Sequence, residues 1–173
     1  MLHISERELD LPNSITGSLS RELQKNKNII SLSFGEPNFQ APREVLDYGK
    51  KVINKSNRYA YDKGIIELRE ALVKKLKRDN KIDSNPENIL ITVGSQEAIF
   101  SGLLTTIDPG EKVIIPNPCY LGYIPAIELV SGIPNYINLD ENFNLDIDKI
   151  EKSIDKRTKA IIAPPILSVN PVR

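Results

Sequence analysis

The residues best placed to do chemistry are Gly94, Ser95 and Gln96, at the junction of two patterned segments. They follow a β-branched run at residues 89–93, which predicts a strand buried on both faces, and they open a predicted helix at 95–106. The first turn of a helix has free backbone N–H groups and the positive end of the helix dipole, to which phosphate binds readily. The same residues also suit a structural role, with Ser95 as helix N-cap and Gly94 as a tight-turn glycine. The pattern leaves both interpretations open.

Tyr120 is the second candidate, because Asn117-Pro118-Cys119-Tyr120 directly follows a predicted strand at residues 113–115. The carboxyl ends of neighbouring parallel strands share one edge of a sheet, where ligands bind. Tyr120 is therefore predicted on the same edge as the glycine turn, in a position to stack on a flat ring, although a packing role is the alternative. The chain's single histidine, His3, lies near the N-terminus, so Cys119 has no partner histidine. We therefore predict that Cys119 is a small buried residue and not a nucleophile.

A polar and aromatic loop at residues 58–64 is the third candidate. The phenol of Tyr59 is able to donate a hydrogen bond to a phosphate in such a loop. The same loop is equally suited to covering an interface, so the loop by itself does not decide between binding and packing.

The elements that must position these residues alternate between helical and strand patterns. Pro42 opens a helix in which Val45, Tyr48, Gly49 and Val52 are expected to face the core. After Gly64 a second helix is predicted, with an apolar stripe of Ile65, Leu68, Leu72 and Leu76 and a polar side of Glu67, Arg69, Lys74 and Lys75. Further along, the pattern predicts a helix at 95–106, a strand at 113–115, a helix at 120–130, a strand at 136–137, a helix around 147–154 and a strand at 160–162. A short strand is also predicted at 29–34. This alternation predicts an α/β fold with a mainly parallel sheet.

Composition excludes several classes of function. The 173 residues are 40% hydrophobic, enough for one domain, and 23 basic residues balance 23 acidic ones, which argues against nucleic-acid and membrane partners. A single cysteine excludes an internal disulfide, and a single histidine, His3, excludes zinc clusters and Ser-His-Asp triads. We expect a soluble, cytoplasmic protein.

Five motifs, in order and at natural spacings, resemble those of the class I/II aminotransferases, which belong to the fold-type I pyridoxal-phosphate-dependent transferases. The likeness runs from about residue 29 to residue 165. The motifs are Ser33-Phe34-Gly35-Glu36-Pro37-Asn38-Phe39, the stretch from Tyr59 to Arg69, Thr92-Val93-Gly94-Ser95-Gln96-Glu97-Ala98, Asp108-Pro109-Gly110-Glu111-Lys112-Val113 and Asn117-Pro118-Cys119-Tyr120. The resemblance implies a three-layer α/β/α fold, with residues 1–30 as an N-terminal arm and residues 31–173 as part of the large cofactor domain.

The resemblance also implies a role for each candidate. Residues 94–96 match the turn that holds the phosphate of pyridoxal 5'-phosphate, and Tyr120 matches the aromatic that stacks on its ring. Gly35 matches the glycine that approaches the substrate carboxylate. Tyr59 matches the tyrosine that reaches the phosphate of a neighbouring subunit, so a homodimer is expected. The substrates would be an amino acid and a 2-oxo acid.

The likeness stops after Pro165. The family's Asn-Pro-Thr-Gly motif is not matched, because Asn170-Pro171 comes about three positions late and lacks the threonine and glycine. The family's cofactor-bonding lysine, ring-pairing aspartate and carboxylate-binding arginine also have no match. We therefore expect a truncated or frame-shifted product that is inactive alone and self-associates through exposed apolar surface. Two alternatives stay open: a non-catalytic phosphate-binding or regulatory dimerisation module, and a fragment of a lyase or synthase of the same fold. A generic phosphate-binding protein leaves the ordered motifs unexplained.

Overall fold

The computed structural model describes residues 37–55 and 58–164, together with Lys25, Asn28 and Ile30. The described chain forms two compact units, one ending at Ile91 and the other starting at Thr92. Gly35 and most of the strand predicted at 29–34 lie outside the described residues, and the domain boundary predicted near residue 30 stays a prediction. In the part of the chain that is described, no helix combines the length and apolar character needed to cross a membrane.

Among residues 37–91 of the first unit, the first helix is α1, Arg43–Val52, which directly follows Pro42 and continues into a 3-10 turn at Ile53–Lys55. An acidic residue in its first turn and two lysines in its last turn complement the helix dipole. The prediction that its apolar residues face a core is wrong for the described structure, because α1 has no buried residue and Val45 and Tyr48 are exposed. Helical spacing gathers apolar side chains on one face but does not supply the surface that covers them.

The next described helix along the chain is α2, Ile66–Lys75, which continues as a π-helical turn at Leu76–Asn80. A 3-10 turn follows at Pro86–Asn88. The strand predicted at residues 89–93 is not formed, and Leu90 and Val93 are exposed. The Ile91 N–H donates instead to the Lys63 carbonyl oxygen at 3.1 Å. A β-branched run becomes a strand only where a second strand takes up its hydrogen bonds, and none pairs with these residues in the described structure.

The second unit contains the predicted alternation of helices and strands. Between residues 92 and 164 its elements are α3 (Gly94–Thr106), β1 (Lys112–Asn117), α4 (Tyr123–Leu129), β2 (Ile133–Asn138), α5 (Ile147–Ser153) and β3 (Thr158–Ile161). The three strands form one sheet in the order β2-β1-β3, and both pairs are parallel. The predicted α/β fold with a parallel sheet is confirmed.

Strand β1 divides the core into two apolar clusters. Val113 and Ile115 pack with α3 and α4 on one face of the sheet, whereas Ile114 packs with Ile137 of β2 and Ile150 of α5 on the other. Successive residues of a strand point to opposite faces, so three consecutive apolar residues require a covering layer on each side. The predicted three-layer α/β/α arrangement is thereby confirmed. Each fully buried isoleucine contributes about 1.5–3 kcal/mol to stability.

Candidate functional site

Gly94 begins α3 in a left-handed backbone conformation, with φ at +78°. A Cβ built there would meet no atom within 4 Å, so glycine is required by the backbone conformation and not by lack of space. The turn is closed from both sides. The Gly94 N–H donates to the Thr92 carbonyl oxygen at 3.0 Å, and the Thr92 hydroxyl donates to the Gly94 carbonyl oxygen at 2.9 Å. The turn-glycine role allowed by the sequence is confirmed.

Ser95 does not cap the helix. The N-cap is Val93, and its backbone N–H donates to the carboxylate of Glu97. Ser95 lies inside the first turn, where it is exposed and its hydroxyl bonds to no other described residue. Within the described chain, the backbone N–H groups of Ser95 and Gln96 also have no acceptor. The start of this 13-residue helix therefore presents unpaired donors at the positive end of its dipole.

The side chain of Gln96 connects this turn to the loop after β1. Its Nε2 donates to the Gly122 carbonyl oxygen at 3.0 Å. A Cβ built on Gly122 would lie 2.5 Å from Oε1 of Gln96 and 2.4 Å from Cε1 of Tyr120. Gln96 and Tyr120 therefore meet at the same glycine, and the structure brings together the two candidates that the sequence predicted on one edge.

Tyr120 presents its ring to solvent beside this contact, with 58% of the residue exposed. Its ring packs edge-on against Tyr123, with ring centroids 5.4 Å apart and an interplanar angle of 81°. The preceding Cys119 packs against the apolar core, and burial raises the pKa of its thiol above the ordinary value. A protonated thiol is a poor nucleophile, so Cys119 is a packing residue.

Gly122 is the residue of this site that the sequence analysis missed. Its φ of −71° and ψ of −12° are open to any residue, so no turn pattern identifies it. Glycine is present because two side-chain tips occupy the space of its missing Cβ. A spatial requirement of this kind is not visible in sequence periodicity.

Tyr59 lies in the other compact unit, on the loop that precedes α2, and its side chain is fully exposed. The other end of this loop is held at Gly64, where φ is +92° and a Cβ would lie 2.4 Å from Cγ1 of Ile91. Gly35, the remaining predicted site residue, lies outside the described residues.

Arg69 ties the segment at Gly64 to the turn at residues 86–88. Its guanidinium donates to the carbonyl oxygens of Gly64 at 3.2 Å and Pro86 at 2.9 Å, and to the carboxylate of Glu87 at 3.2 Å. Lys63 also donates to Glu87, at 2.9 Å. The Lys63 ammonium, and after it the Arg69 guanidinium, lower the pKa of Glu87 below its ordinary value. We call these four residues, Lys63, Gly64, Arg69 and Glu87, together with Pro86, the Arg69 clasp.

Fold and sequence together define the class of this protein. Residues 27–165, more than half of the chain, match the family model described as aminotransferase class I and II. The chain belongs to this family, and the predicted resemblance is confirmed.

Individual relatives are aminotransferases with named substrates. The chain is 40% identical to a probable aspartate aminotransferase of Methanocaldococcus jannaschii over 134 residues. This aligned region covers 77% of this chain and 36% of that protein. The chain is also 40% identical over 140 residues to aromatic-amino-acid aminotransferase 2 of Thermococcus litoralis, covering 79% and 36% of the two chains. Among solved structures, the aspartate aminotransferase from Thermus thermophilus with maleate superposes with a TM-score of 0.89 at 28% identity, over 94% of this chain and 44% of that one. The match thus spans between about a third and just under half of the length of these relatives.

Proposed function

We propose that this chain provides the phosphate- and ring-binding part of a pyridoxal-phosphate-dependent aminotransferase site, which transfers an amino group between an amino acid and a 2-oxo acid. The observation that carries the proposal is the hydrogen bond from Gln96 to Gly122. This bond joins the helix turn with unpaired N–H donors to the loop that bears an exposed aromatic ring.

The residues fit both parts of pyridoxal 5'-phosphate. The phosphate is a dianion, and the N–H groups of Ser95 and Gln96, the Ser95 hydroxyl and the dipole of α3 all favour an anion at this point. The pyridine ring is flat and apolar on its faces, and the exposed ring of Tyr120 offers a surface for stacking. When bound, the cofactor supplies a ring that withdraws electrons from the reacting substrate carbon.

The remaining roles rest on the match to the family motifs. Tyr59 would donate its phenol to the phosphate held by a second copy of the chain, and its full exposure leaves the hydroxyl free for such a partner. Gly35 would let the substrate carboxylate approach the backbone closely. In this arrangement the functional unit is a homodimer.

A non-catalytic cofactor- or phosphate-binding module is the second candidate. It is consistent with the same geometry, because unpaired N–H donors at the start of α3 and an exposed ring at Tyr120 can hold a phosphate and a flat ring without a covalent bond. The two candidates share the binding residues and differ in whether the bound cofactor becomes attached to the protein.

A titration of the 173-residue chain with pyridoxal 5'-phosphate, followed by absorbance and by borohydride reduction, tests the proposal. We expect saturable binding that Tyr120→Leu weakens about twofold to tenfold, the range measured for aromatic pairs. Tyr48→Leu, at an exposed tyrosine of α1 in the other unit, is the matched control and should bind like the parent chain.

The outcomes separate the candidates. Binding without a borohydride-trapped adduct supports the binding site that both candidates share. A stoichiometric adduct would show that a lysine of this chain bonds the cofactor and would contradict the non-catalytic alternative. A parent chain that binds no pyridoxal 5'-phosphate would refute the proposed function.

A further inference from the structure

The contact between Gln96, Gly122 and Tyr120 has a consequence beyond binding the cofactor. We infer that the Gln96 side chain is a positioning residue for the Tyr120 ring, and that Gly122 provides the space in which the ring edge and the amide fit together. The inference rests on the proposed function, in which the backbone N–H of Gln96 donates a hydrogen bond to the phosphate. It assigns a separate role to the side chain of the same residue.

The side chain of Gln96 is committed to the protein and not to the ligand. Its Nε2 donates to the Gly122 carbonyl oxygen, and its Oε1 lies beside the Gly122 Cα, 2.5 Å from a built Cβ. The backbone N–H of the same residue has no acceptor among the described residues. Gln96 therefore contributes a donor to the helix turn and at the same time fixes the distance from that turn to the Tyr120 loop.

Gly122 is a glycine for reasons of space alone. Its backbone is right-handed, so alanine is conformationally acceptable there. The atoms that an alanine methyl would meet are Cε1 of Tyr120 at 2.4 Å, Cζ of Tyr120 at 2.9 Å and Oε1 of Gln96 at 2.5 Å. These atoms are the outer ends of flexible side chains, so a methyl group would displace the ring and the amide while the backbone stays in place.

The Tyr120 ring depends on these contacts because little else holds it. More than half of the residue is exposed, and among the described residues its ring packs edge-on against the ring of Tyr123. Ring stacking requires a defined plane at a defined distance from the phosphate. Releasing the Tyr120 ring should therefore weaken the binding of a ligand that carries both a ring and a phosphate. The binding of inorganic phosphate should be unaffected.

The test compares Gln96→Met and Gly122→Ala with the parent 173-residue chain. Methionine keeps the length of the side chain and removes the donor, and neither change touches the N–H groups of Ser95 and Gln96. Gln40→Met, at an exposed glutamine, and Gly102→Ala, where a Cβ meets nothing within 4 Å, are the matched controls. Melting curves of all five chains establish that the fold is retained.

Each variant is titrated with pyridoxal 5'-phosphate and with inorganic phosphate, and the amide shifts of Ser95 and Gln96 are followed by NMR. We expect both test variants to bind pyridoxal 5'-phosphate about threefold to tenfold more weakly, the effect of one lost side-chain hydrogen bond, with phosphate affinity unchanged. The double variant Gln96→Met/Tyr120→Leu should bind no more weakly than Tyr120→Leu alone, because Gln96 acts through the ring.

Three results of the titrations would overturn the inference, and a fourth comes from the ligand-free chain. The titration results are full cofactor affinity in Gln96→Met, a parallel loss of phosphate affinity, and independent, additive losses in the double variant. In the ligand-free chain, the nuclear Overhauser contact between the Tyr120 ring and Gly122 should weaken in Gln96→Met, and an unchanged contact would also overturn it. This last measurement decides the inference even if the parent chain binds no cofactor, a result that refutes only the proposed function.

Discussion

Replacing Arg69 by methionine isolates the polar contribution of the Arg69 clasp. Arg69 is a buried charged residue, and its side chain is only 8% exposed. Methionine keeps the unbranched apolar stem, so the packing of the aliphatic part is largely retained. What is lost are the hydrogen bonds to the Gly64 and Pro86 carbonyl oxygens and to the Glu87 carboxylate.

The size of the effect follows from the exposure of each partner. Glu87 is 70% exposed, so water replaces its lost partner and this ion pair contributes little. The two backbone carbonyls accept from a charged donor, and hydrogen bonds of that type contribute about 1.5–3 kcal/mol each when well formed. Because the Gly64 bond is long at 3.2 Å, we expect a total loss of about 2–4 kcal/mol of local stability.

Native-state hydrogen exchange of the Ile91 amide is the appropriate assay. This N–H donates to the Lys63 carbonyl oxygen, next to the clasp, and exchanges when the segment opens. A loss of 2–4 kcal/mol corresponds to a fall in protection of about 30-fold to several hundredfold. The matched control is Arg78→Met, which removes an exposed guanidinium bonded to the adjacent Asp79 and should leave Ile91 protection unchanged. Equal protection in the two variants would refute the reasoning that the clasp holds this segment.

Three further predictions concern the backbone, the charges and the core. Gly94→Ala should lower the free energy of unfolding by about 1–2 kcal/mol, because alanine is strained at the positive φ of this position. Gly64→Ala should lower it further, because a side-chain carbon of Ile91 lies 2.4 Å from the new methyl group. Urea unfolding of both variants tests whether Gly64→Ala is the more destabilising change. A hydrogen bond from the Lys112 ammonium lowers the pKa of Asp155 below its ordinary value of 3.8. The stability that this ion pair contributes is therefore present above about pH 4 and is lost as the pH falls through the depressed pKa. Asp155→Asn should flatten the dependence of melting temperature on pH in that range, and an unchanged slope would exclude this ion pair as its source. Ile114→Ala, at a residue 1% exposed, should cost about 2–5 kcal/mol in urea unfolding, and a cost below 1 kcal/mol would contradict its place in the core.

The order of helices and strands from residue 94 onward was predictable from local pattern. The consecutive apolar residues of β1 imply covering layers on both faces, and α3, α4 and α5 supply them. The glycine turn at Gly94 was predictable for the same local reason, since a glycine before a helix start commonly marks a positive φ. Family membership followed from five motifs in order and needed no structure.

The sequence-based predictions failed where the conformation or burial of a residue depends on a partner that is distant along the chain. The run at residues 89–93 has the composition of a strand but forms none, because composition does not provide a neighbouring strand. Arg69 was assigned to the polar side of α2, opposite the leucine stripe, yet it is buried while Leu68 is 40% exposed. Its burial depends on carbonyl acceptors up to 17 residues away along the chain.

The sequence by itself determined the family, the alternation of elements and the identity of the residues that could hold a phosphate and a ring. These properties depend on motif order and on periodicities of about two and 3.6 residues, which are local. Only the tertiary structure decided that the Gln96 side chain donates to Gly122, 26 residues along the chain, and that the Tyr120 ring lies against the same glycine. It also decided that Arg69 is buried at the centre of the Arg69 clasp. Such contacts depend on side-chain reach and on empty space between elements, and neither quantity is encoded at any fixed spacing along the chain.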